Sequence, residues 1–177
     1  YMTLRVGING FGRIGRNVLR AIIESKRKDI KVVAINNRSA LKVCAHLLKY
    51  DSIHGVFPYD ISVEGKNLIV GDQKISFSKK KNLVGIRWDK YDVDLVMECT
   101  GKFNSAEDCQ QHILSGASKV LISAPAKDAD ITVVYGVNEE KINSKHNIIS
   151  NASCTTNCLA PVAKVLNDHF GIEEGFM

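Results

Sequence analysis

Two clusters of residues in this 177-residue chain have the types and spacing to do chemistry. The first is Gly10, Gly12 and Gly15 in "GINGFGRIGRNVLR", spaced G-x-G-x-x-G. After a strand and before a helix, such a turn lets backbone approach a pyrophosphate and directs a helix N-terminus at its charge. In that reading Gly10 makes the tight turn, Gly12 permits the close approach and Gly15 allows the helix to pack against the strand. The second cluster is "SNASCTTNCLAP", residues 150 to 161. Ser153 is a good N-cap type, which puts Cys154 in the first turn of the helix that follows. There the backbone N–H groups and the helix dipole favour a thiolate, a nucleophile for a carbonyl carbon, and can stabilise the oxyanion that results. Ser153, Thr155 and Thr156 add short hydroxyl donors suited to phosphate.

A dinucleotide site usually places an acid about 20 residues after the glycines, at the end of the second strand, to bind a ribose hydroxyl. This chain has Asn37 there, followed by Arg38. Asparagine does not repel a 2′-phosphate, and a guanidinium pairs with one, so both NAD and NADP stay open. The plainer alternative makes Asn36 and Asn37 turn formers and Arg38 a solvated side chain. Other cysteine roles are an inert buried thiol or a metal ligand. Cys154 and Cys158 have no histidine at ligand spacing, so no metal is expected, and Cys158 reads as core.

The elements that must position these residues alternate apolar strands with amphipathic helices, the pattern of a doubly wound, mostly parallel α/β sheet. Strands are predicted at 4–9, 31–36, 92–101, 119–124, 131–137 and 147–150. Helices follow the glycines, where Ile14, Val18, Leu19 and Ile22 recur, and occupy "ALKVCAHLLKY" and 105–116. Between 60 and 78, short apolar runs broken by "EGKN" and "GDQ" predict an antiparallel insertion. Cys158, Val162, Val165, Leu166 and Phe170 fall on one face of a last helix. That broad apolar face, with little after it, is expected to belong to a second domain.

Composition narrows the function classes. The chain is 45% hydrophobic, enough for a substantial core. Five scattered cysteines argue against a disulfide framework and for a reducing compartment. No run spans a bilayer and no leader pattern is visible, so no membrane association and a cytoplasmic location are expected. The net charge of +5 is dispersed and lacks interleaved aromatics, so no nucleic-acid partner is expected.

Over nearly its whole length the chain resembles the N-terminal half of the glyceraldehyde-3-phosphate dehydrogenases. The resemblance runs through "GINGFGRIGRNVLRA", "VVAIN", "LLKYDSIHG", "ECTG", "KVLISAPA", "VYGVN" and above all "SNASCTTNCLAP". It implies a Rossmann NAD(P)-binding domain over 1–153 and, over 154–177, the first helix of an α+β catalytic domain whose remainder is missing. It implies Cys154 as the nucleophile toward a triose phosphate, with a thiohemiacetal that yields hydride to the nicotinamide and a thioester cleaved by inorganic phosphate. Ser153 and Thr155 would then contact phosphate. Cofactor contacts are implied at Asn9, Gly10, Phe11, Gly12, Arg13, Ile14, Asn37, Lys81, Thr100, Gly101, Ser123 and Ala124, with Arg38 added by the NADP reading. The family's catalytic histidine is expected after Met177, so these residues alone are expected to be inactive. The family forms homotetramers. The related erythrose-4-phosphate dehydrogenases, and a non-enzymatic dinucleotide-binding redox sensor, are the competing expectations.

Overall fold

The computed structural model describes residues 3–176. In chain order the regular elements are β1 (Leu4–Asn9), α1 (Arg13–Glu24), β2 (Ile30–Asn36), α2 (Leu41–Lys49), β3 (Tyr50–Asp51), β4 (Gly55–Val56), β5 (Ile61–Glu64), β6 (Asn67–Val70), β7 (Gln73–Ser78), β8 (Leu95–Glu98), α3 (Ala106–Leu114), β9 (Lys119–Ile122), β10 (Ile131–Thr132), β11 (Ile148–Ser150) and α4 (Cys154–Phe170). Short 3₁₀ turns lie at Val84–Ile86, Trp88–Tyr91 and Glu139–Lys141. Nine of the strands form one sheet in the order β10-β11-β9-β8-β1-β2-β7-β6-β5. From β10 across to β7 every pairing is parallel, and β5-β6-β7 is antiparallel. The doubly wound sheet with an antiparallel insertion is therefore present. The insertion extends the sheet at its β2 edge, because β7 turns back to pair in parallel with β2.

Two apolar clusters form the core. Val6, Ile8, Leu19, Ile23, Val32 and Ile35 pack in one, and Val33, Ala34, Trp88, Val96, Val120 and Ile122 in the other. The consecutive Val33 and Ala34 share a cluster because the β1–β2 register shifts between Val6 and Gly7, leaving Val33 as an extra residue. Helix α1 buries Gly15, Leu19, Arg20 and Ile23; of the predicted stripe Leu19 is buried, Val18 and Ile22 pack half-buried against the core, and Ile14, one turn earlier, is exposed. Arg20 is buried with no carboxylate partner among the described residues. Its Nη2 donates to the carbonyls of Leu48 (2.7 Å), at the C-terminus of α2, and of Gly55 (3.0 Å), and its guanidinium lies over Phe57. That charge ties α1 to the unforeseen β3–β4 hairpin.

Three expectations need correction. The apolar run 131–137 continues as a strand only through Thr132. Asn138 Oδ1 accepts the Val134 N–H at 2.8 Å, and its Nδ2 donates to Thr132 O, which folds the remainder into a turn. The strand predicted at 92–101 is confined to Leu95–Glu98, because Asp92 turns at φ 47° and Cys99 and Thr100 lead into the next loop. Cys158 is exposed rather than core, and α4 buries no residue, since nothing among the described residues packs on its apolar face.

Candidate functional site

The C-terminal ends of β1, β2, β7 and β8 lie side by side, and the strand order reverses direction between β1 and β8. In open α/β sheets, ligands bind in the crevice at that switch point. A cavity of about 310 Å³ opens there, lined by Asn9, Gly10, Gly12, Asn36, Asn37, Arg38, Lys80, Lys81, Leu83, Cys99, Thr100, Lys102 and Phe103. Four cations and no carboxylate line it, so its field favours an anionic ligand.

The three glycines differ in what they do. Gly10 sits at φ +90°, and a Cβ there would lie 2.7 Å from Thr100 N. A Cβ on Gly15 would lie 2.1 Å from the Gly10 carbonyl oxygen, so this glycine is required for α1 to approach the turn. A Cβ on Gly12 meets nothing within 4 Å. Gly12 is also the N-cap of α1, with no side-chain cap bond and no acid in the first turn. Helices α3 and α4 are each capped by a serine hydroxyl, Ser105 and Ser153, whereas α2, like α1, has neither a side-chain cap nor an acid in its first turn, and only α1 starts at the cavity. The orphan N–H groups at the start of α1 are thus left for an external anion, beside open space that a pyrophosphate would fill. The residues present fit a dinucleotide.

Asn37 does a structural job at this site. Its Oδ1 accepts the Phe11 N–H at 3.1 Å, which pins the glycine turn, and its Nδ2 lies 3.3 Å from Cys44 Sγ. Arg38 is exposed next to it. Of the predicted cofactor contacts, Asn9, Gly10, Gly12, Asn37, Arg38, Lys81 and Thr100 come together in the cavity. Phe11 is buried in the core, Arg13 and Ile14 are exposed on the first turn of α1, and Gly101 follows Thr100 at φ +69°. Ser123 and Ala124 follow β9, where Ala124 O accepts the Ser150 hydroxyl at 2.8 Å. None of these last six lines the cavity.

Several residues here escaped the sequence reading. Glu98, His112, Trp88 and Ser78 join Asn9 and Asn36 in a hydrogen-bonded row beneath the cavity. Asn36 Nδ2 donates to Asn9 Oδ1 (2.9 Å), and Ser78 Oγ donates to Asn36 Oδ1 (2.7 Å). Asn9 Nδ2 donates to Glu98 Oε2 (2.6 Å), and His112 Nε2 lies 2.9 Å from that same oxygen. The available signal was a lone acid ending the apolar strand "LVME".

The cysteine loop lies beyond β11. Ala152 takes φ +57°, a conformation an alanine adopts only under constraint. Asn157 supplies the constraint, its Nδ2 donating to Asn151 O at 2.8 Å and Ser153 O at 2.9 Å. Ser153 Oγ accepts the Thr156 N–H at 2.9 Å and bonds the hydroxyls of Thr155 and Thr156. Cys154 is thereby held exposed as the first residue of α4. The other thiols divide sharply. Burial pushes Cys99 up to about 11 and Cys109 up to about 12, and raises Cys44 as well, which disfavours the thiolate at all three.

Comparison with known proteins agrees with this geometry. Residues 4–106 match the family model "Glyceraldehyde 3-phosphate dehydrogenase, NAD binding domain", and residues 153–177 match "Glyceraldehyde 3-phosphate dehydrogenase, C-terminal domain". Similar curated proteins include the glyceraldehyde-3-phosphate dehydrogenases of Xanthobacter flavus, 55% identical over 99% of this chain and 52% of that protein, and of Geobacillus stearothermophilus, 52% identical over the same shares. The Mycolicibacterium smegmatis protein is 52% identical over 99% of this chain and 54% of its own length. The chain spans about half the length of the curated relatives it matches.

Proposed function

This chain belongs to the glyceraldehyde-3-phosphate dehydrogenase family, and from that premise we propose that residues 1–153 bind NAD(P) and residues 154–177 open the catalytic domain. The whole protein oxidises glyceraldehyde 3-phosphate with inorganic phosphate in glycolysis, as a cytoplasmic homotetramer. The observation that carries the cofactor reading is the uncapped start of α1 beside the open space at Gly12, in the same cavity as Asn37, Lys81 and Thr100.

The residues that would hold the dinucleotide divide by chemistry. Gly10, Gly12 and the N–H groups of Arg13 and Ile14 would hold the pyrophosphate, Asn37 and Arg38 the adenosine ribose, and Asn9 and Thr100 would bond the remaining polar edge. When bound, the nicotinamide supplies a hydride acceptor. Cys154 Sγ attacks the aldehyde carbon of the substrate. The Ser153 cap uses the Thr156 N–H, which leaves those of Cys154 and Thr155 to stabilise the oxyanion. Loss of a hydride to that acceptor and of the hydroxyl proton to a base turns the thiohemiacetal into a thioester on Cys154; attack by inorganic phosphate, contacted by Ser153 and Thr155, then releases an acyl phosphate and returns the Cys154 thiolate.

Among the described residues no histidine is hydrogen-bonded to the Cys154 thiol. His169, on the same helix, bonds Val165 O instead. Among the described residues the thiol therefore has no histidine partner, and on this reading the 177 residues alone are expected not to turn over. Asn37 in place of an acid favours tolerance of NADP alongside NAD.

Calorimetric titration of the chain with NAD and with NADP tests the cofactor reading. Saturable heat with either supports it, and a folded chain that binds neither overturns it. In the whole protein, phosphate-dependent reduction of NAD by glyceraldehyde 3-phosphate, abolished by Cys154→Ser, tests the chemistry.

A further inference from the structure

The row beneath the cavity ends at the two turns that face each other across it. On one side Asn36 holds Lys80 by both backbone groups, accepting its N–H at 2.8 Å and donating to its carbonyl at 3.0 Å. On the other, Glu98 Oε1 accepts the Thr100 N–H at 2.8 Å and the Thr100 hydroxyl. Behind Glu98 stands His112, whose Nδ1 is 2.9 Å from Trp88 Nε1. An indole N–H only donates, so Nδ1 is the acceptor and the ring proton sits on Nε2, directed at Glu98. Glu98 then receives four donors on its two oxygens, from Asn9, His112 and twice from Thr100. Glu98 and His112 side chains are both fully buried. A carboxylate saturated in a dry interior has one orientation, and removing a donor leaves a costly vacancy.

We propose that Glu98, oriented by His112 and Trp88, is a positioning residue of the dinucleotide site, setting the Thr100 turn against the glycine turn, and that cofactor binding is felt at Trp88. This rests on the cofactor reading above. Neither His112 nor Trp88 lines the cavity; the hydrogen-bonded link from them to it is Glu98, which holds the cavity-lining Thr100, while Trp88 also shares a core cluster with the cavity-lining Leu83. Coupling of this kind is reciprocal: what the indole does to the Thr100 turn, occupancy of the turn does to the indole.

Trp88 is the sole tryptophan, so its indole N–H gives a single NMR signal. The test titrates the 177-residue chain with NAD, by calorimetry and by that signal. The expected result is that the signal moves along the calorimetric isotherm. His112→Leu, still folded by circular dichroism, weakens NAD binding about tenfold, the cost of one lost charge-assisted bond. His112→Gln, whose amide donates to Glu98 and accepts from Trp88, recovers most of the loss. A merely structural role would lower the melting temperature of both variants and leave the affinity of the folded protein unchanged. Should His112→Leu fail to fold, Trp88→Phe, which removes the indole donor together with part of the buried ring volume, carries the same comparison in its folded fraction, with an expected loss of about threefold. If wild type binds NAD while the signal stays still and His112→Leu or Trp88→Phe binds as wild type, the positioning role is overturned and the cofactor reading stands. If folded wild type binds no NAD, both fall.

Discussion

Asn9 and Glu98 end neighbouring parallel strands in register and meet side chain to side chain, with Asn9 Nδ2 donating to Glu98 Oε2 at 2.6 Å. The same register places Asn36 beside Asn9 and Ser78 beside Asn36, so four successive strands each end in a polar residue bonded to the next. A row of this kind can form only where strands end level, and it gives the cleft a rigid floor.

The glycine turn separates folding from binding. Gly15→Ala places a Cβ 2.1 Å from a carbonyl oxygen, and should destabilise the chain by about 1–3 kcal/mol as α1 is pushed away. Gly12→Ala meets open space, and should leave the melting temperature within a degree or two while weakening dinucleotide binding. Thermal melts paired with calorimetry distinguish the two. Equal effects of both substitutions on both readouts would refute the division.

Thiol chemistry should count two. Cys154 and Cys158 are exposed, whereas Cys44, Cys99 and Cys109 are buried. Cys99 and Cys109, at about 11 and about 12, stay protonated throughout the range in which a disulfide reagent is used. Titration of the native chain with such a reagent at pH 8 should therefore release two equivalents rapidly, falling to one in Cys154→Ser. Denaturant should release five in the parent chain.

Cofactor choice should follow the side chain at position 37. Asn37→Asp keeps an acceptor for the Phe11 N–H and so keeps the turn. Its charge repels a 2′-phosphate, so NADP should lose about tenfold or more relative to NAD. Asn37→Leu removes the acceptor and should weaken both cofactors. Calorimetric titration of the two variants checks this, and an unchanged NADP to NAD ratio in Asn37→Asp would rule it out.

Acid should release the β11 end of the sheet through Asp130. The N–H groups of Ile148 and Asn147 hold its carboxyl below the usual aspartate range, at 2.9 and 2.7 Å. A carboxyl depressed in the folded state binds its proton more readily when unfolded. Its stabilisation is therefore complete above the unfolded value near 4 and disappears as pH falls through the folded one. Asp130→Asn should lose stability at pH 7 and show a shallower decline below pH 4 than the parent chain, measured by denaturant titration across pH. Parallel curves would contradict this.

The local sequence determined the parts whose signals are short-ranged. Three glycines between an apolar strand and an amphipathic stripe specify the turn at residues 10–15, because backbone freedom and helical period are written within a few residues. Ser153 ahead of Cys154 specifies the cap, and the structure has that cap. The glycine-10 and glycine-15 roles were also legible, though only the 2.1 Å approach shows how strictly Gly15 is needed. Tertiary structure decided what depends on register and on distant partners. Whether "ITVVYGV" stayed extended depended on Asn138 capturing the chain it follows, and whether Cys158 was core depended on what packs over α4. Above all, Glu98, His112 and Trp88 carry no local pattern. Their partnership arises because parallel pairing aligns the strand ends and α3 crosses behind them, bringing residues 14 and 24 positions apart to 2.9 Å. Alternation along one strand tells which face a side chain occupies, but only the stacking of strands tells what it meets there.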